Sequence, residues 1–118
     1  MKVAAALAAA GALLFPSPVG ASGEASQRPA WLPRLFYSIS LCETGGNWSH
    51  ATRDYVSAFG IFRGAWADYR PKWVPSVPEL ATPKQQYAVA LAIASRAGLT
   101  AWECYRNGGV NYWMRRVQ

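Results

Sequence analysis

Read for its hydrophobic and polar positions, the chain opens on an uninterrupted apolar run over residues 3–15, preceded by Met1 and Lys2. The run is about thirteen residues long and is broken by Pro16 and Pro18, short of the roughly twenty that a membrane-spanning helix needs. A positive start, an apolar stretch and the small residues Val19-Gly20-Ala21 predict a secretory signal over 1–21, cleaved after Ala21, with a membrane anchor as the alternative that length disfavours. Residues 22–30 read as a flexible lead-in, because the small and polar residues there show no apolar period.

Helical periodicity begins after it. Leu32, Leu35, Phe36, Ile39 and Leu41 recur at near-helical spacing and predict a helix over 29–42, with Pro33 in its first turn and one face in the core. Gly45 and Gly46 stop it, since glycine accepts the positive φ that ends helices. Residues 47–57 are polar and aperiodic, a loop with room for a short hairpin. Phe59, Ile61, Phe62 and Trp66 follow, and core packing is the plain reading of Ile61 and Trp66.

Pro71, Pro75 and Pro78 make 70–77 an extended connection. Thr82, Pro83 and Gln85 form an N-cap, a first-turn proline and a capping box, and Gly98 ends the helix they open. Tyr87, Ala88, Leu91, Ala92 and Ala94 give that helix a small-residue surface, expected to pack closely on the first helix. Asn107-Gly108-Gly109 is a turn before a short terminal helix around Tyr112-Trp113. The pattern predicts a small all-α, α-dominated domain of about four helices with a minor β-hairpin.

Candidate chemistry concentrates at Leu41-Cys42-Glu43-Thr44-Gly45-Gly46-Asn47-Trp48. A carboxylate between a glycine turn and a tryptophan is partly desolvated, which raises its pKa towards the range of a general acid. Such a group suits glycosides, whose poor leaving oxygen must be protonated. A solvated glutamate on a last helical turn is the plain alternative. Asp54 is the candidate auxiliary carboxylate, although a loop aspartate ordinarily forms a turn. His50, the one histidine, has no cysteine or acidic companions and reads as a surface residue, so no metal and no cofactor is expected. Asn47-Trp48-Ser49 fits a glycosylation acceptor that matters only in a eukaryotic secretory pathway.

Charge and cysteine count add two constraints. Twelve basic residues against six acidic give a net charge of +6, and loss of Lys2 with the signal leaves +5. A cationic exported domain is drawn to the polyanions outside a cell. The basic residues are scattered and carry no nucleic-acid motif, so nucleic acid is not the expected partner. Cys42 and Cys104 are the only cysteines, and in an exported chain of this size one disulfide between them is the default, two free thiols being the outcome if the signal is misread.

The run Cys42-Glu43-Thr44-Gly45-Gly46-Asn47-Trp48, Phe59-Gly60-Ile61-Phe62 with Ala65-Trp66, the Gln85-Gln86-Tyr87-Ala88 helix and the closing Ala101-Trp102-Glu103-Cys104 resemble, in order and spacing, the transglycosylase-like domain of resuscitation-promoting factors. These are secreted muralytic proteins with a lysozyme-like fold. The resemblance covers 31–104 and leaves 105–118 as a C-terminal extension. It implies that Glu43 is the catalytic acid and base on the β-1,4 bond between N-acetylmuramic acid and N-acetylglucosamine, and that Cys42 pairs with Cys104. Asn47, Trp48, Phe59, Gly60, Phe62, Arg63 and Trp73 are the implied substrate contacts. Gly60 stands where such families commonly carry a glutamine, so one amide contact is absent or comes from Arg63 or the loop. The implied partners are peptidoglycan strands and a second wall hydrolase, for a monomer that is extracellular and wall-associated. A secreted, non-catalytic glycan-binding or signalling protein with the same cleft is the rival reading, and a membrane-active peptide a more distant third.

Overall fold

The computed structural model describes residues 27–118; the signal expected over 1–21 and most of the lead-in lie outside them. In chain order the elements are α1 (Arg34–Thr44), β1 (Tyr55–Val56), β2 (Ile61–Phe62), α2 (Arg63–Tyr69), a 3-10 turn (Pro78–Leu80), α3 (Pro83–Ala97), a second 3-10 turn (Leu99–Ala101), α4 (Glu103–Arg106) and α5 (Gly109–Met114). The domain is helix-dominated with one small antiparallel sheet, as the sequence pattern predicts.

Helix α1 starts five residues later than its apolar period suggested. Pro33 occupies the N-cap, and its carbonyl accepts the first helical bond from Tyr37 N–H, 3.0 Å away. At the other end Gly45 sits at φ 73°, where its N–H caps Leu41 O. Every residue from Phe36 to Leu41 is buried, not just one face. The cause lies at the C-terminus: α5 runs antiparallel along α1, its Val110 and nearby Val117 inside the core, and covers the face expected to meet solvent.

Helix α3 follows its local signals. The Thr82 side chain accepts Gln85 N–H and the Gln85 side chain accepts Thr82 N–H, while Gly98 caps the far end. Its core face is Gln86, Val89, Ala90 and Ile93, whereas Leu91 is exposed. The close α1–α3 packing expected from the alanines is not found. The two helices meet instead through rings, Phe36 standing edge-on to Tyr87 at 5.2 Å, because bulky aromatics hold the backbones apart. Phe36 is also edge-on to Phe59 and to Trp102, each at 6.3 Å. Edge-to-face pairs of this kind contribute about 0.5–1.5 kcal/mol each beyond their buried area.

The hairpin pairs Tyr55 with Phe62 and Val56 with Ile61 across a loop of Ser57, Ala58, Phe59 and Gly60. A single disulfide joins Cys42 to Cys104, with Cα atoms 6.2 Å apart and a separation of 62 positions in sequence. It ties the last turn of α1 to α4.

Candidate active site

Three elements converge at the C-terminal end of α1. The helix carries Glu43, the hairpin loop carries Gly60, and α4 carries Cys104. Glu43 is half-buried, and its Oε2 accepts the Cys104 backbone N–H at 3.1 Å. The disulfide one residue before Glu43 therefore also holds the donor that fixes its carboxylate.

Burial is the main influence on this carboxyl and raises its pKa above the ordinary value. The Cys104 N–H opposes it, the charge of Glu103 adds to it, and the charge of Arg106 opposes it again. The net direction is upward.

Gly60 lies directly against the acid. At φ 60° it occupies the left-handed region, and a Cβ built there would stand 3.4 Å from Glu43 Cβ and 3.5 Å from Oε1. Its lack of a side chain leaves Oε1 open to the cleft. Gly60→Ala should cost about 1–2 kcal/mol through the left-handed backbone. Thermal unfolding measures it, and an unchanged Tm would mean that the loop relaxes elsewhere.

The loop bearing Gly60 is clamped from both sides. Thr44 Oγ1 donates to Ala58 O at 2.6 Å, and Ala58 N–H donates to Gln86 Oε1 at 3.0 Å. Gln86 is buried, and its Nε2 donates to Trp48 O at 2.9 Å. One amide thus joins α3 to both loops of the cleft. Its sequence signal was a glutamine at an inward-facing helical position.

Glu43 opens onto a cavity of about 440 Å³, with Gly60 at its floor and His50, Thr52 and Tyr55 from the loop and hairpin. Trp102, Glu103 and Arg106 line it from the α4 side. A neighbouring cavity of about 300 Å³ is lined by Trp48, Ser57, Glu79 and Gln86, and His50 borders both. His50 is accordingly a cleft residue rather than the surface histidine its isolation in sequence suggested. Its backbone is fixed on both sides, by Asn47 O and Ser57 N–H. Tyr55, Glu103 and Arg106 were not legible as site residues, since only folding brings them to Glu43.

Of the substrate contacts expected from sequence, Gly60 reaches the Glu43 cavity and Trp48 the adjoining one. Phe59 does not contact solvent at all, being packed between Phe36 and Trp48. Arg63 is committed elsewhere: its guanidinium holds Thr52 O at 2.8 Å and grips Glu79 with two bonds, the shorter 2.5 Å. It braces the wall between the cavities and does not replace a missing amide. Asn47 Oδ1 accepts Ser49 N–H in its own turn. Phe62 is exposed and meets the Tyr55 ring edge-on at 5.9 Å, and Trp73 is 66% exposed; neither lines the two cavities. Asp54 is exposed beside Arg53 at 3.5 Å and lines neither cavity, so it does not face Glu43. No cluster of potential metal ligands occurs among the described residues.

A family model for a transglycosylase-like domain matches residues 34–105. The match spans more than half of the chain, and the chain belongs to this family. It is therefore a lysozyme-like, glycan-cleaving type of domain directed at peptidoglycan. No curated protein matches the sequence.

Proposed function

We propose that this protein is a secreted, wall-associated lytic enzyme of the resuscitation-promoting-factor kind that cleaves the β-1,4 bond between N-acetylmuramic acid and N-acetylglucosamine. The observation that carries the proposal is Glu43, a half-buried carboxyl with one oxygen anchored by Cys104 N–H and the other open to a cleft over Gly60. Burial favours the protonated form, so Oε1 is suited to give a proton to the leaving glycosidic oxygen. The ionised carboxylate then takes a proton from the attacking hydroxyl.

A hydrolase that activates water places its second carboxyl across the sugar, about 6.5–9.5 Å from the acid. Asp54 is unsuited to that role because it lines neither cavity. Glu103 lines the Glu43 cavity from the α4 side, next to the residue that anchors Glu43. With Asp54 outside the cleft, the reading proposed is attack by the muramic 6-hydroxyl and a 1,6-anhydro product. Incubation of the purified protein with peptidoglycan should release muropeptides whose ends are lighter by one water than hydrolytic ends. Glycan binding without any soluble muropeptide would instead establish the non-catalytic reading.

The pH profile supplies an independent check. An acid works only while protonated, so kcat/KM should fall as pH rises through the Glu43 pKa. Because burial raises that pKa, the fall should come at a higher pH than for an exposed glutamate. An alkaline limb at the ordinary glutamate value would contradict the assignment.

A further inference from the structure

The end of α1 remote from Glu43 carries charge that the cleft does not use. Residues 27–38 and 109–118 contain no aspartate or glutamate, and the packing of α5 along α1 gathers four arginines from these two stretches. Arg34 donates to Met114 O at 2.7 Å and to Val117 O at 3.2 Å. Arg28 donates to Gln118 O at 2.8 Å and to Leu32 O at 2.7 Å. Arg116 donates to Tyr112 O at 2.7 Å and covers the Tyr112 ring at 3.5 Å, with Arg115 exposed next to it. The ion pairs found among the described residues, Arg53–Asp54 and Arg63–Glu79, involve none of these four. Neutral carbonyls order the guanidinium groups without cancelling their charge.

We infer that this face is a docking surface for a linear phosphodiester polyanion of the polyol-phosphate type. Guanidinium forks match phosphate oxygens in a way that ammonium groups do not. Forks already held by carbonyls lose less rotamer freedom when a ligand arrives. An anionic membrane fits less well, because interfacial binding needs an apolar face to insert. The one large hydrophobic side chain exposed here is Tyr112, and Arg116 lies over it. The same cover removes the open ring on which a single-stranded nucleic acid would stack.

Arg34 and Glu43 are nine residues apart on one helix, about 14 Å along its axis. Helix α5, six residues and about 9 Å long, runs beside it, from Gly109, where a Cβ would fall 2.8 Å from Cys42 Sγ, to the Met114 carbonyl that the Arg34 side chain reaches. A bound polymer would hold the domain by one end and leave the cleft open at the other.

The test is direct binding of fluorescently labelled poly(glycerol phosphate), followed by anisotropy across a salt series. Wild-type protein should bind with an affinity that falls steeply with salt. R115Q/R116Q should lose about tenfold or more in affinity and flatten the salt dependence, as expected when two phosphate contacts are removed. R53Q/K72Q removes the same formal charge elsewhere and should leave binding within about threefold of wild type, since charges beyond a Debye length are screened. R115K/R116K should fall between wild type and the glutamine pair, a ranking that general loss of structure would not produce. Absence of binding by the wild type, or equal losses in the two glutamine pairs, would overturn the inference. So would equally tight binding to phosphatidylglycerol vesicles or to single-stranded DNA. The readout is binding alone, so it stands apart from whether the Glu43 cleft turns over.

Discussion

Glu43→Gln should abolish peptidoglycan cleavage while leaving the protein folded and able to bind glycan. The amide keeps the shape of the side chain and can still accept the Cys104 N–H through its carbonyl oxygen, but it has no proton to give the leaving oxygen. General acid catalysis contributes about 10²–10⁴-fold, so residual release of muropeptides should lie at or below the percent level. Asp54→Asn is the comparison, and its effect should be small because Asp54 lies outside the cleft. Unchanged muropeptide release by Glu43→Gln would remove the catalytic assignment.

Wild-type stability should also fall as pH rises through the Glu43 pKa. The folded state holds the Glu43 proton more tightly than the unfolded chain, because burial raises the pKa. Wild type therefore carries a stabilising contribution below the unfolded glutamate pKa and loses it as pH climbs through the folded value. Glu43→Gln lacks this titration. Relative to wild type, its Tm should rise across that window, and a relative fall would show that the ionised carboxylate is favourable in place.

The second large effect is expected from removing the disulfide. With Cys42 and Cys104 separated by 62 positions in sequence, the chain-entropy treatment gives about 4 kcal/mol for the Cys42→Ser/Cys104→Ser variant. A domain this small has a total stability on the order of 5–15 kcal/mol, so the loss is a large share of it. In thermal unfolding the expected drop is roughly 20 °C, from about 4–8 °C per kcal/mol for a domain of this length. Activity should fall further than the folded fraction alone predicts. The bond holds α4 against the end of α1, and α4 supplies the N–H that anchors Glu43 Oε2. A variant with wild-type Tm and turnover would show that packing of Trp102 and Val110 suffices to place α4.

Features that rest on neighbouring residues were legible in the sequence. Thr82, Pro83, Gln85 and Gly98 mark both ends of α3 because capping is a local exchange of hydrogen bonds. Gly45 marks the end of α1 for the same reason, its positive φ being a property of one residue. The unique cysteine pair left one possible partner for each. Glu43 stood out because a carboxylate before two glycines and a tryptophan is an unusual local arrangement, and the motif order around it pointed to the transglycosylase-like kind of domain that residues 34–105 match.

What folding alone decided depends on which distant surfaces meet. Phe59 reads as a cleft aromatic in the chain, yet the rings of Phe36 and Trp48 and the Trp102 Nε1–H bond to its carbonyl at 2.9 Å draw its loop inward. Arg63 reads as a substrate ligand, but Glu79 and Thr52 O lie within reach and take its guanidinium. His50 and Tyr55 carry no local mark of function and enter the cleft only because the hairpin folds over the end of α1. The last residues looked like an extension beyond the domain, since a six-residue helix has little periodicity to read. Val110 and Val117 nonetheless fill the core, because α1 has a second apolar face that only a partner from the far end of the chain covers.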